Sequence, residues 1–97
     1  MTPVIFRPAA AADIEDAYVW YERRRQGLGD EFLLAVQSAQ LVLSERPEAF
    51  PALHRQTRRA LLKRFPYSLY YRIYAERIVI VACMHARRDP KRWQRRR

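Results

Sequence analysis

The stretch that most constrains this chain is "RIVIVACMH", residues 77 to 85. Its interior is apolar at successive positions, so both faces of a strand built from it need cover. That calls for a central strand in a sheet with material packed on each side. The preceding "PYSLYYRIY", residues 66 to 74, alternates instead. Tyr67, Leu69, Tyr71 and Ile73 point one way, and Ser68, Tyr70, Arg72 and Tyr74 the other. "AE" at 75 and 76 is short enough to join the two as a hairpin. "RRALLKR", 58 to 64, is a further short strand, and "PVIFR", 3 to 7, is a β-branched opening strand.

Between these lie two helical patterns. From Ala9 to about Gln26 the positions Ile14, Ala17, Tyr18 and Tyr21 recur at helical spacing behind Pro8, which suits a first helical turn. "GLG" at 27 to 29 breaks the pattern. A second helix is expected from Asp30, as N-cap, to Glu45, with Phe32, Val36, Ala39 and Leu43 as its stripe. So short a connection makes the pair an antiparallel hairpin. "RPEAFPALHRQ" reads as a loop. Trp20, Tyr67 and Tyr71 are expected in the core, and Trp93 folded back to cover the sheet edge or the helices. The order is βααβββ: an α+β domain, a helical hairpin on a small, mostly antiparallel sheet. Residues 1–97 form one domain with a basic tail at 91–97.

Charge divides the chain. Residues 1 to 48 hold eight acids against five arginines, a net of −3. Residues 49 to 97 hold fourteen Lys or Arg against Glu76 and Asp89, a net of +12. A half-chain so basic implies nucleic acid or an acidic protein as partner. The longest apolar run, Ile78 to Met84, is too short to cross a membrane. The N-terminus lacks the ordered regions of a signal peptide, and Cys83 has no cysteine to pair with, so a cytoplasmic protein is expected. One cysteine and two distant histidines, His54 and His85, make no zinc site, and no cofactor is implied. The serines lack a nucleophile-elbow context.

The chemistry left is that of the basic half. Arg59, Lys63, Arg72 and His85 could share one face of the sheet if the strand registers permit. A histidine able to exchange protons near neutrality, with cations to stabilise phosphoryl oxygens, is sufficient in kind for metal-free RNA cleavage.

The element order, together with "AADIEDAYVWYE", "GLGDEFLLAV", "RPEAFP", "RFPYSLYYRI" and "HARRDPKRW", resembles the RelE/ParE superfamily of type II toxin–antitoxin systems, also described as plasmid-stabilisation proteins. The resemblance covers nearly the whole chain. It implies a growth-inhibiting toxin neutralised by a cognate antitoxin. In the RelE-like branch, a ribosome-dependent mRNA endonuclease, Arg59 and Arg72 would hold phosphate and His85 would transfer protons. In the ParE-like branch, which inhibits DNA gyrase, the basic half would be a contact surface. Lys63, Arg64, Arg87, Arg88, Lys91 and Arg92 are then the candidate target-binding or nucleic-acid-binding residues. Some ribonuclease members carry a tyrosine directly after the matching histidine. This chain has Ala86 there, which favours the ParE-like branch. A degenerate member that only binds its antitoxin is the third alternative.

Overall fold

The computed structural model describes residues 1–96. The elements run β1 (Val4–Phe6), α1 (Pro8–Arg24), α2 (Leu28–Glu45), β2 (Ala52–His54), β3 (Thr57–Leu61), β4 (Tyr67–Tyr74), β5 (Arg77–His85) and α3 (Lys91–Gln94). Five strands form one sheet in the order β1-β5-β4-β3-β2. Only β1 and β5 pair in parallel; the other pairs are antiparallel. The helical hairpin packs on one face, as its apolar stripes require.

Each helix end has a local cause. Pro8 opens α1 at a position where a missing N–H costs nothing. Arg25 is already extended, so α1 closes at Arg24 rather than at Gln26. α2 begins at Leu28, and Asp30 is not its cap: the N-cap is Gly27, at φ 89°. The cap comes from the other helix. Glu22 on α1 accepts hydrogen bonds from the N–H groups of Gly27 (2.9 Å) and Gly29 (2.9 Å). Gly29 also lets the helices touch, because a Cβ there would lie 2.7 Å from the Tyr18 ring.

The inner face holds the main core. Phe32 is fully buried among Tyr21, Phe65 and Tyr67, with ring centroids 5.3–5.4 Å away. Leu69, Tyr71, Ile78 and Ile80 complete it from β4 and β5. Buried Tyr71 donates its hydroxyl hydrogen to the carbonyl of Pro47 at 2.8 Å, which satisfies its polar end. Trp20 departs from expectation: half of it is exposed, and Arg24 lies over its ring at 4.1 Å.

The expected loop "RPEAFPALHRQ" contains a strand, β2. The three residues are held by β3 through Ala52 and Arg58, a tertiary partner that a local pattern does not show. β3 itself runs Thr57–Leu61, shorter than the expected 58–64, because Leu62–Pro66 turn the chain into β4. The expected tail is partly structured. α3 seats Trp93 against Tyr70 on the outer face, rings stacked at 4.5 Å. Arg95 and Arg96 belong to this ordered segment, and Arg97 lies outside the described residues.

Candidate functional site

Register decides which charged residues meet. Along β4 and β5, Tyr70 pairs with Ala82 but Tyr71 pairs with Ile80. Val81 is therefore an extra residue, a β-bulge. Before it, Ile78 and Ile80 face the helices; after it, Cys83 does, while Val81, Ala82 and Met84 lie in the outer cluster. The phase slip puts His85 opposite Tyr67 on the helical side. Arg59 lies opposite Tyr70, and Arg72 shares the outer face with Tyr70. The expected gathering of Arg59, Arg72 and His85 on one face does not occur.

Two basic surfaces result. On the outer face, a groove of about 650 Å³ is lined by His54 and Arg55 at the β2–β3 turn, Arg72 and Tyr74 of β4, and Lys91 and Arg95 of the C-terminal segment. Arg72 is fixed in place. Its Nε donates to Thr57 Oγ1 at 3.0 Å, and its Nη2 donates to the carbonyl of Arg96 at 3.0 Å. Arg55 turns the chain with φ 54°, a left-handed conformation that costs a non-glycine residue about 1 kcal/mol. Tyr70 and Trp93 cover the middle of this face.

The second surface is a cleft of about 280 Å³ at the end of β5, between Asp13, Asp16 and Trp20 of α1 and Tyr67, His85, Arg88, Arg92 and Arg96. It exists because β1 is short. Past Phe6, the edge of β5 has no strand beside it, and side chains take over the ladder. Asp13 accepts from the Cys83 N–H at 2.9 Å and from the Arg96 guanidinium, which also donates to the Val81 carbonyl at 3.3 Å. The Arg87 N–H donates to His85 Nδ1 at 3.0 Å, so that nitrogen already has a partner. Burial, with the Asp13 carboxylate adding, pushes the Cys83 thiol up to about 12. The thiol stays protonated and is no nucleophile at neutral pH. Burial also raises the Tyr67 hydroxyl, with nearby Arg88 opposing the shift.

The nine residues singled out from sequence thus fall in several places. Arg59, Arg72 and Lys91 belong to the outer face; His85, Arg88 and Arg92 line the cleft. Arg87 is exposed just after β5. Lys63 and Arg64 lie in the turn between β3 and β4, where Arg64 pairs with Glu31 of α2 at 2.8 Å. Asp89 pairs with no arginine among the described residues; its side chain accepts from the Lys91 N–H at 3.0 Å and starts α3. Asp13 and Arg96 were missed. A lone acid in an acidic helix and one arginine in a terminal run carry no pattern that pairs them across 83 positions. His54 and Arg55 escape a local reading because β2 exists through its pairing with β3, and Arg95 because it stands in a terminal arginine run expected to be a tail. Among the described residues, no group of three or more His, Cys, Asp and Glu could hold a metal ion, and no helix is long and apolar enough to cross a membrane.

Residues 4–90 match the family model described as the ParE toxin of the type II toxin–antitoxin system, parDE. The fold is similar to that of a chain solved as a chromosomal ParDE toxin–antitoxin system from P. aeruginosa. The two are 24% identical, with a TM-score of 0.69 over 88% of this chain and 96% of that one. No curated protein matches the chain in sequence.

Proposed function

The chain belongs to the ParE toxin family of type II toxin–antitoxin systems, and we propose that it arrests growth by inhibiting DNA gyrase until a cognate antitoxin neutralises it. The proposal takes residues 1–97 as one toxin domain acting in the cytoplasm, where gyrase is found.

The observation that carries the gyrase reading over mRNA cleavage is the bulge in β5. Cleavage needs a proton-transfer group and phosphate-stabilising cations around one scissile phosphate. His85 lies on the helical side of the sheet, and Arg59 and Arg72 lie on the other. With no gathered site to build, the basic residues fit the role of contact surface better than that of catalyst. For the antitoxin, the helical hairpin offers exposed Val19 and Trp20 on α1 and Leu34 and Leu41 on α2. Apolar side chains standing out of a charged surface suit an amphipathic segment.

The test uses purified gyrase, relaxed plasmid and this protein. Loss of supercoiling that persists in His85→Ala, with mRNA intact in a translating cell-free system, is the expected result. New codon-phased 5′ ends that appear only with ribosomes, and vanish in His85→Ala, would overturn it in favour of the endonuclease. Absence of any growth defect on expression would leave a degenerate toxin that only binds its antitoxin.

A further inference from the structure

We infer that the outer-face groove between the β2–β3 turn, the end of β4 and α3 binds the phosphate backbone of duplex DNA. The inference stands on the chemistry of the groove and does not require gyrase to be the target.

Cations from three separate elements converge there: Arg55 from a turn, Arg72 from a strand, and Lys91 and Arg95 from the C-terminal segment, with no acidic side chain among the described lining residues. Among the described residues, the ion pairs are Arg25 and Arg64 with Glu31, and Arg96 with Asp13. None of them uses a groove cation. Arg72 is held by Thr57 and the Arg96 carbonyl, so its guanidinium is positioned before any ligand arrives. Such a fixed planar donor suits a phosphate oxygen. At about 650 Å³ the groove has room for a run of backbone rather than a lone ion.

The choice of duplex DNA follows from what the groove lacks. Single strands are gripped by stacking bases on exposed rings. Here Tyr70 and Trp93 stack on each other and are buried, and the exposed ring at the groove, Tyr74, stands at the end of β4 with Arg77 over it at 5.5 Å, so no row of exposed rings runs along the groove among the described residues. Protein partners are anchored by apolar side chains in the centre of an interface. The groove presents charge without such an anchor. Contacts to phosphate carry no base information, so binding is sequence-independent and salt-sensitive.

The experiment is fluorescence anisotropy of the full chain with a mixed-sequence DNA duplex over a salt series. It compares wild type, Arg55→Gly/Arg95→Ala in the groove, and Arg23→Ala/Arg46→Ala on the helical layer, which removes the same charge. The groove pair is expected to weaken binding at least about tenfold and to lower the salt slope by roughly 2. Glycine relieves the φ of Arg55, so Arg55→Gly alone is expected to hold or raise the melting temperature, which separates lost binding from lost folding. Equal weakening by the helical-layer pair, tighter binding of a single-stranded oligonucleotide or of polyglutamate, or no duplex binding at low salt would each overturn the inference.

Discussion

The two faces of the sheet share the same strands and are built by different rules. The inner face is closed by 35 helical residues, 17 in α1 and 18 in α2, and its rings interlock around Phe32. The outer face is closed by a four-residue helix that places Trp93 on Tyr70. Around that small lid the charges change character: Arg59, Arg72 and Lys91 border it, and the groove beside it is cationic. The inner face holds the fold together. The outer face is ordered enough to fix arginines in place and polar enough to meet a partner. The division follows the chain, since the helices come from the half with net charge −3 and most of the sheet from the half with +12.

The largest effect should come from testing that asymmetry directly. Phe32→Ala removes a fully buried ring from the inner core and is expected to cost about 3–5 kcal/mol. Much of a domain's total stability, commonly ~5–15 kcal/mol, would be gone. Trp93→Ala strips the outer lid and should cost less, about 2–3 kcal/mol, because a short helix can move away instead of leaving a sealed cavity. Urea denaturation of both variants checks this. A Trp93→Ala cost equal to that of Phe32→Ala would mean that the outer cluster is a second core rather than a lid.

The same asymmetry explains what was legible in the sequence. Inner-face positions repeat at 3.6 along the helices and at 2 along β4, and β5 was recognisable to its end residues because its apolar run is unbroken. The helical hairpin followed from "GLG" and two stripes. The outer face depends on contacts between distant segments. β2 is three residues long and exists through its pairing with β3. α3 is ordered by Trp93 docking on Tyr70, not by helical propensity over four residues. The bulge at Val81 left no trace, because "IVIVACM" is apolar before and after the slip. A one-residue shift in an alternating strand would have announced itself by exposing a charge. In a strand buried on both faces it does not, and so the face that His85 takes is not legible in the sequence.

Asp13 and Arg96 sit where the two faces meet, and they give the next largest effect. Asp13 supplies an acceptor to the Cys83 N–H, continuing the ladder that β1 leaves unfinished, and it also binds Arg96. Asp13→Ala removes both contacts and leaves a backbone donor unpaired, at about 1–3 kcal/mol. Arg96→Ala leaves the Asp13–Cys83 hydrogen bond intact. Its ion pair is partly exposed, so the loss should be nearer about 1 kcal/mol or less. Thermal melts of the two variants and the double mutant separate the contributions. If Arg96→Ala costs as much as Asp13→Ala, the ion pair matters more than completion of the β5 edge, and the C-terminal segment is part of the fold's foundation.

The smallest effect concerns Glu31, which ties the helical layer to the basic half. Its carboxylate takes hydrogen bonds from Arg25 and Arg64, each at 2.8 Å, and these hold its carboxyl below the usual carboxylate range, Arg25 contributing most. A carboxyl lowered on folding adds stability above its unfolded value and loses it as pH falls through the lowered folded value. Wild type should therefore melt slightly above Glu31→Gln at neutral pH, and the gap should close in acid. Because the pair is open to solvent, added salt should shrink the gap at neutral pH as well. Arg64, at φ 70°, is then a cation of the basic half already committed to the helical layer, in contrast to the groove arginines. A gap that persists in acid would mean that Glu31 acts through packing rather than charge, and would leave Arg64 available to the partner-binding surface.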